Sequence, residues 1–255
     1  MGGADVPLFD EFSAYYDQFV NWKTRLANEM PFLREALSRA GARRVLDAAC
    51  GTGMHTVALA GEGYEVVCAE PSEGMLRRVA ENALRAGVKV AQVKAGFGEL
   101  RQHGLGLFDA VLCLGNSLPH ALTHEDLVGA LADFHAVLRP GGVAIIQNRN
   151  YDKVLMDRIR FMPLETAETA NRELLFLRFV DFGDELLTFN VVTLIREDGR
   201  WRYEVGSTKH RPITVAEAES ALMSAGFASW DLYGDYQFSA FDPARSGDLI
   251  VVARR

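Results

Sequence analysis

An acid, a glycine-rich turn and a second acid open the candidate chemistry of this chain. Val45-Leu46-Asp47-Ala48-Ala49-Cys50-Gly51-Thr52-Gly53-Met54-His55-Thr56 runs from an apolar strand into the turn and then into a helix. Glycines let the backbone come close to a ligand, and a helix N-terminus offers free N–H groups. Asp47, ahead of the first glycine, suits a ligand with an ammonium group better than a pyrophosphate. Glu70 closes the next apolar run, and in a doubly wound sheet an acid there reaches ribose hydroxyls. The dinucleotide fingerprint G-x-G-x-x-G needs a third glycine where this chain has Thr56. That disfavours a nicotinamide-dependent oxidoreductase. Two histidines, His120 and His210, are candidate bases. Tyr236 stands in a loop that could cover a site and donate a hydrogen bond.

These residues need strands that end at a common edge. From Ala42 to about Tyr151 the apolar runs VLDAAC, YEVVCAE, VKVAQVKA, FDAVLCLG and GVAIIQN alternate with helical stretches such as 72–86 and 124–138. A short, weakly helical segment joins the third run to the fourth. Both faces of the runs are apolar, as in a buried parallel sheet. Strands alternating with helices predict a doubly wound α/β domain. Ahead of them, Phe19, Trp22, Leu26, Met30 and Leu33 recur at helical spacing and predict helix through the first 40 residues, stopped by Gly41. Beyond Tyr151 the pattern changes. Residues 172–182, 185–197 and 200–213 form three strand-like runs joined by short turns, which predicts an antiparallel insert. A helix at 214–225 follows, and runs at 228–233 and 248–253 return to the main sheet.

Composition narrows the class. The chain has 255 residues, 27 basic and 34 acidic, for a formal net charge of −7. That is poor footing for nucleic-acid binding, which draws its affinity largely from neutralising phosphates. The three cysteines, Cys50, Cys68 and Cys113, show no metal-ligand spacing and no disulfide framework. No apolar run reaches membrane-spanning length, and no signal peptide is visible. A cytoplasmic protein without metal, nucleic-acid or membrane partners is expected.

The motifs carry a resemblance. Asp47-Ala48-Ala49-Cys50-Gly51-Thr52-Gly53 resembles the first motif of class I S-adenosylmethionine-dependent methyltransferases. Glu70 matches their ribose-binding acid, and Leu138-Arg139-Pro140-Gly141-Gly142 matches their segment before the fifth strand. The resemblance covers about residues 40–150. It implies S-adenosylmethionine as cofactor, with S-adenosylhomocysteine as product. It also implies a Rossmann-like, mainly parallel seven-stranded sheet with the antiparallel β insert between strands five and six. The binding set it implies is Asp47, Ala49, Gly51 and Gly53 in the glycine loop, Glu70, Pro71 and Met75 after the second strand, Gly96 and Phe97 flanking adenine, and Leu114. One methyltransferase domain, 1–255, would then comprise an N-terminal helical segment (1–40), a cofactor-binding core (41–152), a substrate-side insert (153–213) and a return to the sheet (214–255).

The ends of strands four and five select among acceptors. The N/D-P-P-Y/F motif of nucleobase and glutamine-amide methyltransferases is absent. Instead Leu112-Cys113-Leu114-Gly115-Asn116-Ser117-Leu118-Pro119-His120 resembles glycine and glycine–sarcosine N-methyltransferases. So does Asn148-Arg149-Asn150-Tyr151-Asp152, which matches their H-R-N-Y-D with Asn148 in place of histidine. In those enzymes the arginine holds the substrate carboxylate and the asparagine lines the same pocket; the matching residues are Arg149 and Asn116. A guanidinium fork pairs bidentately with a carboxylate. Arg149 could instead pair with Asp152 or Glu165. The chain lacks the tyrosine-rich stretch that follows the motif in the glycine enzymes, so a larger amino acid is as open as glycine. The function expected is N-methylation of a small carboxylate-bearing amine by in-line transfer. The alternatives are a small-molecule O-methyltransferase and a non-catalytic S-adenosylmethionine-binding regulator. A homo-oligomer is left open.

Overall fold

The apolar runs pair side by side in the computed structural model, which describes residues 6–169 and 171–255. Strands β1 (Arg44–Ala48), β2 (Glu65–Ala69), β3 (Ala91–Val93), β4 (Phe108–Cys113) and β5 (Leu138–Arg149) are parallel. With β10 (Ser229–Tyr233) and β11 (Asp248–Arg254) they form a seven-stranded sheet in the order β10-β11-β5-β4-β1-β2-β3. β11 runs antiparallel to both of its neighbours. The order reverses between β1 and β4, so the chain ends of β1, β2, β4 and β5 open on one crevice, where ligands of such sheets bind.

Helices cover both faces. Leu127, Leu131 and Phe134 of α5 (His124–Val137) and Leu222 of α7 (Val215–Ser224) pack on one side. Phe32, Leu33 and Leu37 of α2 (Trp22–Arg39) and Leu59 of α3 (Met54–Gly61) pack on the other. The helix predicted through the first 40 residues is two helices among the described residues. α1 (Val6–Phe19) stops, and α2 starts afresh at Asn21, whose side chain accepts from the Thr24 N–H (3.2 Å) and caps it. Gly41 ends that segment with φ +58°. α4 (Glu73–Ala86) is capped by Ser72, and α6 (Tyr151–Met156) follows β5 directly.

The insert holds four strands, one more than the sequence pattern predicts. β6 (Glu165–Thr169), β7 (Arg172–Phe182), β8 (Leu187–Glu197) and β9 (Arg200–His210) form an antiparallel sheet in chain order. β6, Glu-Thr-Ala-Glu-Thr, is polar and lies at an edge, so no apolar alternation announces it. β9 ends at His210, short of the predicted 213, because the Arg211 N–H turns to the Pro119 carbonyl (2.8 Å) and Pro212 has no N–H to give. Asp198 (φ +51°) and Gly199 (φ +74°) make the tight turn between β8 and β9.

Candidate active site

A cavity of about 1250 Å³ opens at the ends of β1, β2 and β4. The glycine turn forms its floor. Ala49 (φ +56°) and Gly51 (φ +57°) are left-handed, which bends the chain sharply between β1 and α3. Asp47 is buried and accepts from the Thr56 hydroxyl (2.6 Å); burial pushes its carboxyl above the ordinary range. Glu70 is buried too. It accepts from the backbone N–H groups of Gly51 and Ser72, both at 3.1 Å, and burial pushes its carboxyl up to about 7. Pro71, Met75, Gly96 and Phe97 continue the wall beyond Glu70, and Leu114 faces them from the end of β4. The Gly96 N–H donates to Glu99 (2.7 Å), and Phe97 stands edge-on to Phe134.

Gly53 is not on this wall. A Cβ there would meet both Val79 methyl groups at 2.9 Å, so its lack of a side chain serves the close approach of α3 to α4.

The N-terminal helices close the cavity from above, with Phe9 and Tyr16 from α1 and Trp22 and Arg25 from α2 on the wall. The helical spacing included Trp22 only as a helix position, and nothing in the sequence placed any of these four at the cavity. Arg25 Nε donates to Glu29 (2.8 Å), and Glu29 in turn meets His55 Nε2 at 2.5 Å. That holds the guanidinium over Gly115, whose ideal Cβ position is 3.2 Å from an Arg25 nitrogen. Trp22 stands edge-on to His55 and donates to Asp17 (2.9 Å).

The acceptor motifs meet at the far end. Asn116 lies on the wall in a left-handed conformation (φ +63°) that asparagine tolerates. Its side chain is engaged: Oδ1 accepts from the Arg149 N–H (3.0 Å), and Nδ2 donates to the Tyr151 hydroxyl (3.0 Å). The Tyr151 hydroxyl, pushed up to about 12 by burial, lies 3.4 Å from His210 Nδ1. His210 is buried off the wall, stacked on Phe189 and edge-on to His120. His120 is on the wall. The two candidate bases thus form one cluster.

Arg149 is half-buried at the end of β5, off the wall itself. Asp152 accepts instead from the Val215 N–H (2.9 Å), and Glu165 pairs with Arg178 (3.4 Å), so neither carboxylate takes the Arg149 guanidinium. Tyr236 lies in the turn between β10 and β11, but its side chain is buried in the core edge-on to Phe32 and does not line the cavity. Cys50, Cys68 and Cys113 are buried free thiols, and no metal-binding cluster occurs among the described residues.

Residues 45–142 match the family described as methyltransferase domain. The glycine/sarcosine N-methyltransferase of Parasynechococcus marenigrum (strain WH8102) is 39% identical over 231 residues, covering 89% of this chain and 78% of that protein. The chain belongs to the glycine/sarcosine N-methyltransferase family. A second member, from Aphanothece halophytica, is 39% identical over 144 residues, covering 56% of this chain. The match spans only 54% of that relative's length. The fold extends further: a crystal structure of an S-adenosylmethionine-dependent methyltransferase from Clostridium acetobutylicum superposes with a TM-score of 0.77 at 17% identity, over 97% of this chain and 98% of that one. S-adenosylmethionine is the methyl donor this family implies, and the wall suits it. Two buried carboxylates of unlike surroundings, Asp47 and Glu70, face one cavity with the Arg25 guanidinium between the helices and the strand ends. That donor set answers an ammonium, a ribose and a carboxylate. No helix of the described residues is long and apolar enough to cross a membrane.

Proposed function

We propose that the chain transfers a methyl group to the amine nitrogen of a small amino acid of the glycine–sarcosine kind. The observation that carries this reading is the joint placement of Arg149 and Asn116. The end of β5 presents a guanidinium that Asp152 and Glu165 leave unpaired, tied through its own N–H to the asparagine that lines the cavity. When bound, S-adenosylmethionine supplies an activated methyl, so no covalent enzyme intermediate is needed. What remains for the protein is to hold, orient and desolvate.

Asp47 would take the cofactor's ammonium, Arg25 its carboxylate and Glu70 its ribose hydroxyls, with Gly96 and Phe97 at the adenine. Arg149 would grip the acceptor carboxylate. Asn116, fixed by Tyr151 on one side and by the Arg149 backbone on the other, sets the height of that grip. His120 is placed to accept the amine proton before attack, with His210 and Tyr151 behind it as further hydrogen-bonding groups.

Methyl transfer from labelled S-adenosylmethionine to glycine, sarcosine, larger amino acids and phenols tests this, with Arg149→Ala in parallel. A charge-assisted pair is worth about 1.5–3 kcal/mol, so the variant should raise KM for the amino acid about 10- to 100-fold while leaving cofactor affinity intact. Transfer to a phenol, indifferent to the substitution, would overturn the amino-acid reading and keep only the methyl-transfer chemistry.

A further inference from the structure

Gln147 is the first polar residue after the apolar run Val143-Ala144-Ile145-Ile146 of β5, and it is buried. Alternation along the strand puts it on the face of Val143 and Ile145, which α2 covers. A buried amide costs stability unless its hydrogen bonds are made. This one spends them on the segment after β4. Oε1 accepts from the N–H groups of Gly115 (2.8 Å) and Asn116 (3.2 Å). The Gln147 backbone carbonyl takes a second share of the Asn116 N–H (3.2 Å). Nε2 donates to Asp248 (2.8 Å).

These bonds account for an uncommon turn. Gly115 (φ +74°) and Asn116 (φ +63°) are successive left-handed residues. A turn of this kind aims successive N–H groups at one electronegative atom, and here that atom is Oε1. A left-handed residue other than glycine persists where its surroundings over-determine it. The turn in turn decides where the Asn116 side chain stands. Asn116 lines the cavity and accepts from the Arg149 N–H (3.0 Å).

Asp248 completes the device. β11 runs against its neighbours, so it begins where β4 and β5 end, and its first residue stands in register with Arg149. With an acid on one side of the Gln147 amide and two N–H donors on the other, one orientation of its oxygen and nitrogen satisfies both. Burial pushes the Asp248 carboxyl above the ordinary range. The charged and titratable groups that face it are Glu29 and Arg25 of α2, Arg149 of β5 and Tyr236 of the β10–β11 turn.

We propose that Gln147 is a positioning residue of the acceptor site, oriented by Asp248 and acting through the backbone of Gly115 and Asn116. This rests on the reading that Asn116 and Arg149 receive the acceptor. Neither Gln147 nor Asp248 is on the cavity wall, so the effect passes through the turn.

A charge exchange tests it. Gln147→Glu keeps the size of the side chain and an acceptor for the two N–H groups, but sets a second carboxyl against Asp248. Two carboxyl groups that close hold together only while they share a proton. The readout is the ratio of wild-type to variant kcat/KM for glycine and sarcosine, taken at each pH so that the titration of the acceptor amine cancels. The ratio should climb with pH toward ~100-fold, the scale of a misplacement of ~1 Å. Adding Asp248→Asn restores one donor facing one carboxylate, and the ratio should fall back to within ~3-fold of unity at every pH, as for a coupled pair. S-adenosylmethionine affinity, from calorimetry, should change far less than kcat/KM in both variants. A ratio near unity at every pH overturns the proposal. So does a loss that the second substitution leaves in place, or one that cofactor affinity shares equally, since either marks damage to the fold. A wild type that methylates a phenol and no amino acid overturns the amino-acid reading instead, and the same ratio taken with that phenol then decides for Gln147.

Discussion

Glu70 carries a pH dependence that the cavity makes measurable. Burial raises its carboxyl from 4.5 to about 7 in the unliganded fold. A raised carboxyl favours the folded state while protonated. Its contribution to stability is therefore fully present below 4.5 and lost as pH climbs through about 7. Ribose hydroxyls prefer the ionised form, to which both can donate. Cofactor affinity should therefore rise with pH between about 6 and 8, and the cofactor-induced gain in Tm should rise with it. Glu70→Gln should flatten this profile and weaken binding about 10-fold or more, the share of a charge-assisted hydrogen bond. Titration calorimetry across that range decides; a flat wild-type profile rules this assignment out. Asp47 and Glu70 were legible in the sequence because each closes an apolar run beside a glycine turn or a helix start. Arg25 and Trp22 were not, because their helix has its own apolar spacing and nothing in it tells which turn leans over the crevice.

At the scale of elements, the glycine turn does two separate jobs. Gly51 bends the chain, with open space where a Cβ would go, whereas Gly53 lets α3 and α4 approach. Gly53→Ala should destabilise the fold by about 2–4 kcal/mol, from a left-handed backbone and an overpacked contact together. Adding Val79→Ala should return the steric share and leave the backbone share, as urea midpoints of the single and double variants would show. Full additivity of the two losses would mean that Val79 is not the obstacle. The turn itself was plain in the sequence, but the packing role of its second glycine was not, since spacing says nothing about which helix lies across it. The doubly wound sheet was legible because buried parallel strands read as continuous apolar runs. β6 and the break at Val20-Asn21 were not: one is a polar edge strand, the other a helix end with neither glycine nor proline.

On the scale of the whole molecule, α1 ties the parts together. Asp10 accepts from the Ser72 hydroxyl (2.6 Å) and the Gly74 N–H (2.8 Å), fastening α1 to the start of α4. Further along, Asp17 accepts from Thr52 in the glycine turn (2.6 Å) and from Asn82 (3.1 Å). Between these two anchors Tyr16 reaches the cavity, while Tyr15 and Phe19 cover the inner face of the insert. A ligand under such a strap leaves only when an anchor lets go. Asp10→Ala and Asp17→Ala should each speed cofactor release several-fold, and together more than either alone, while the sheet stays intact. Trp22, on the wall and bonded to Asp17, is the fluorescent reporter for stopped-flow measurement of that release. Loss of β1 and β4 amide protection in hydrogen exchange would show that the anchors hold up the core instead. Unchanged release with unchanged protection would show that the cofactor leaves by another side of the cavity.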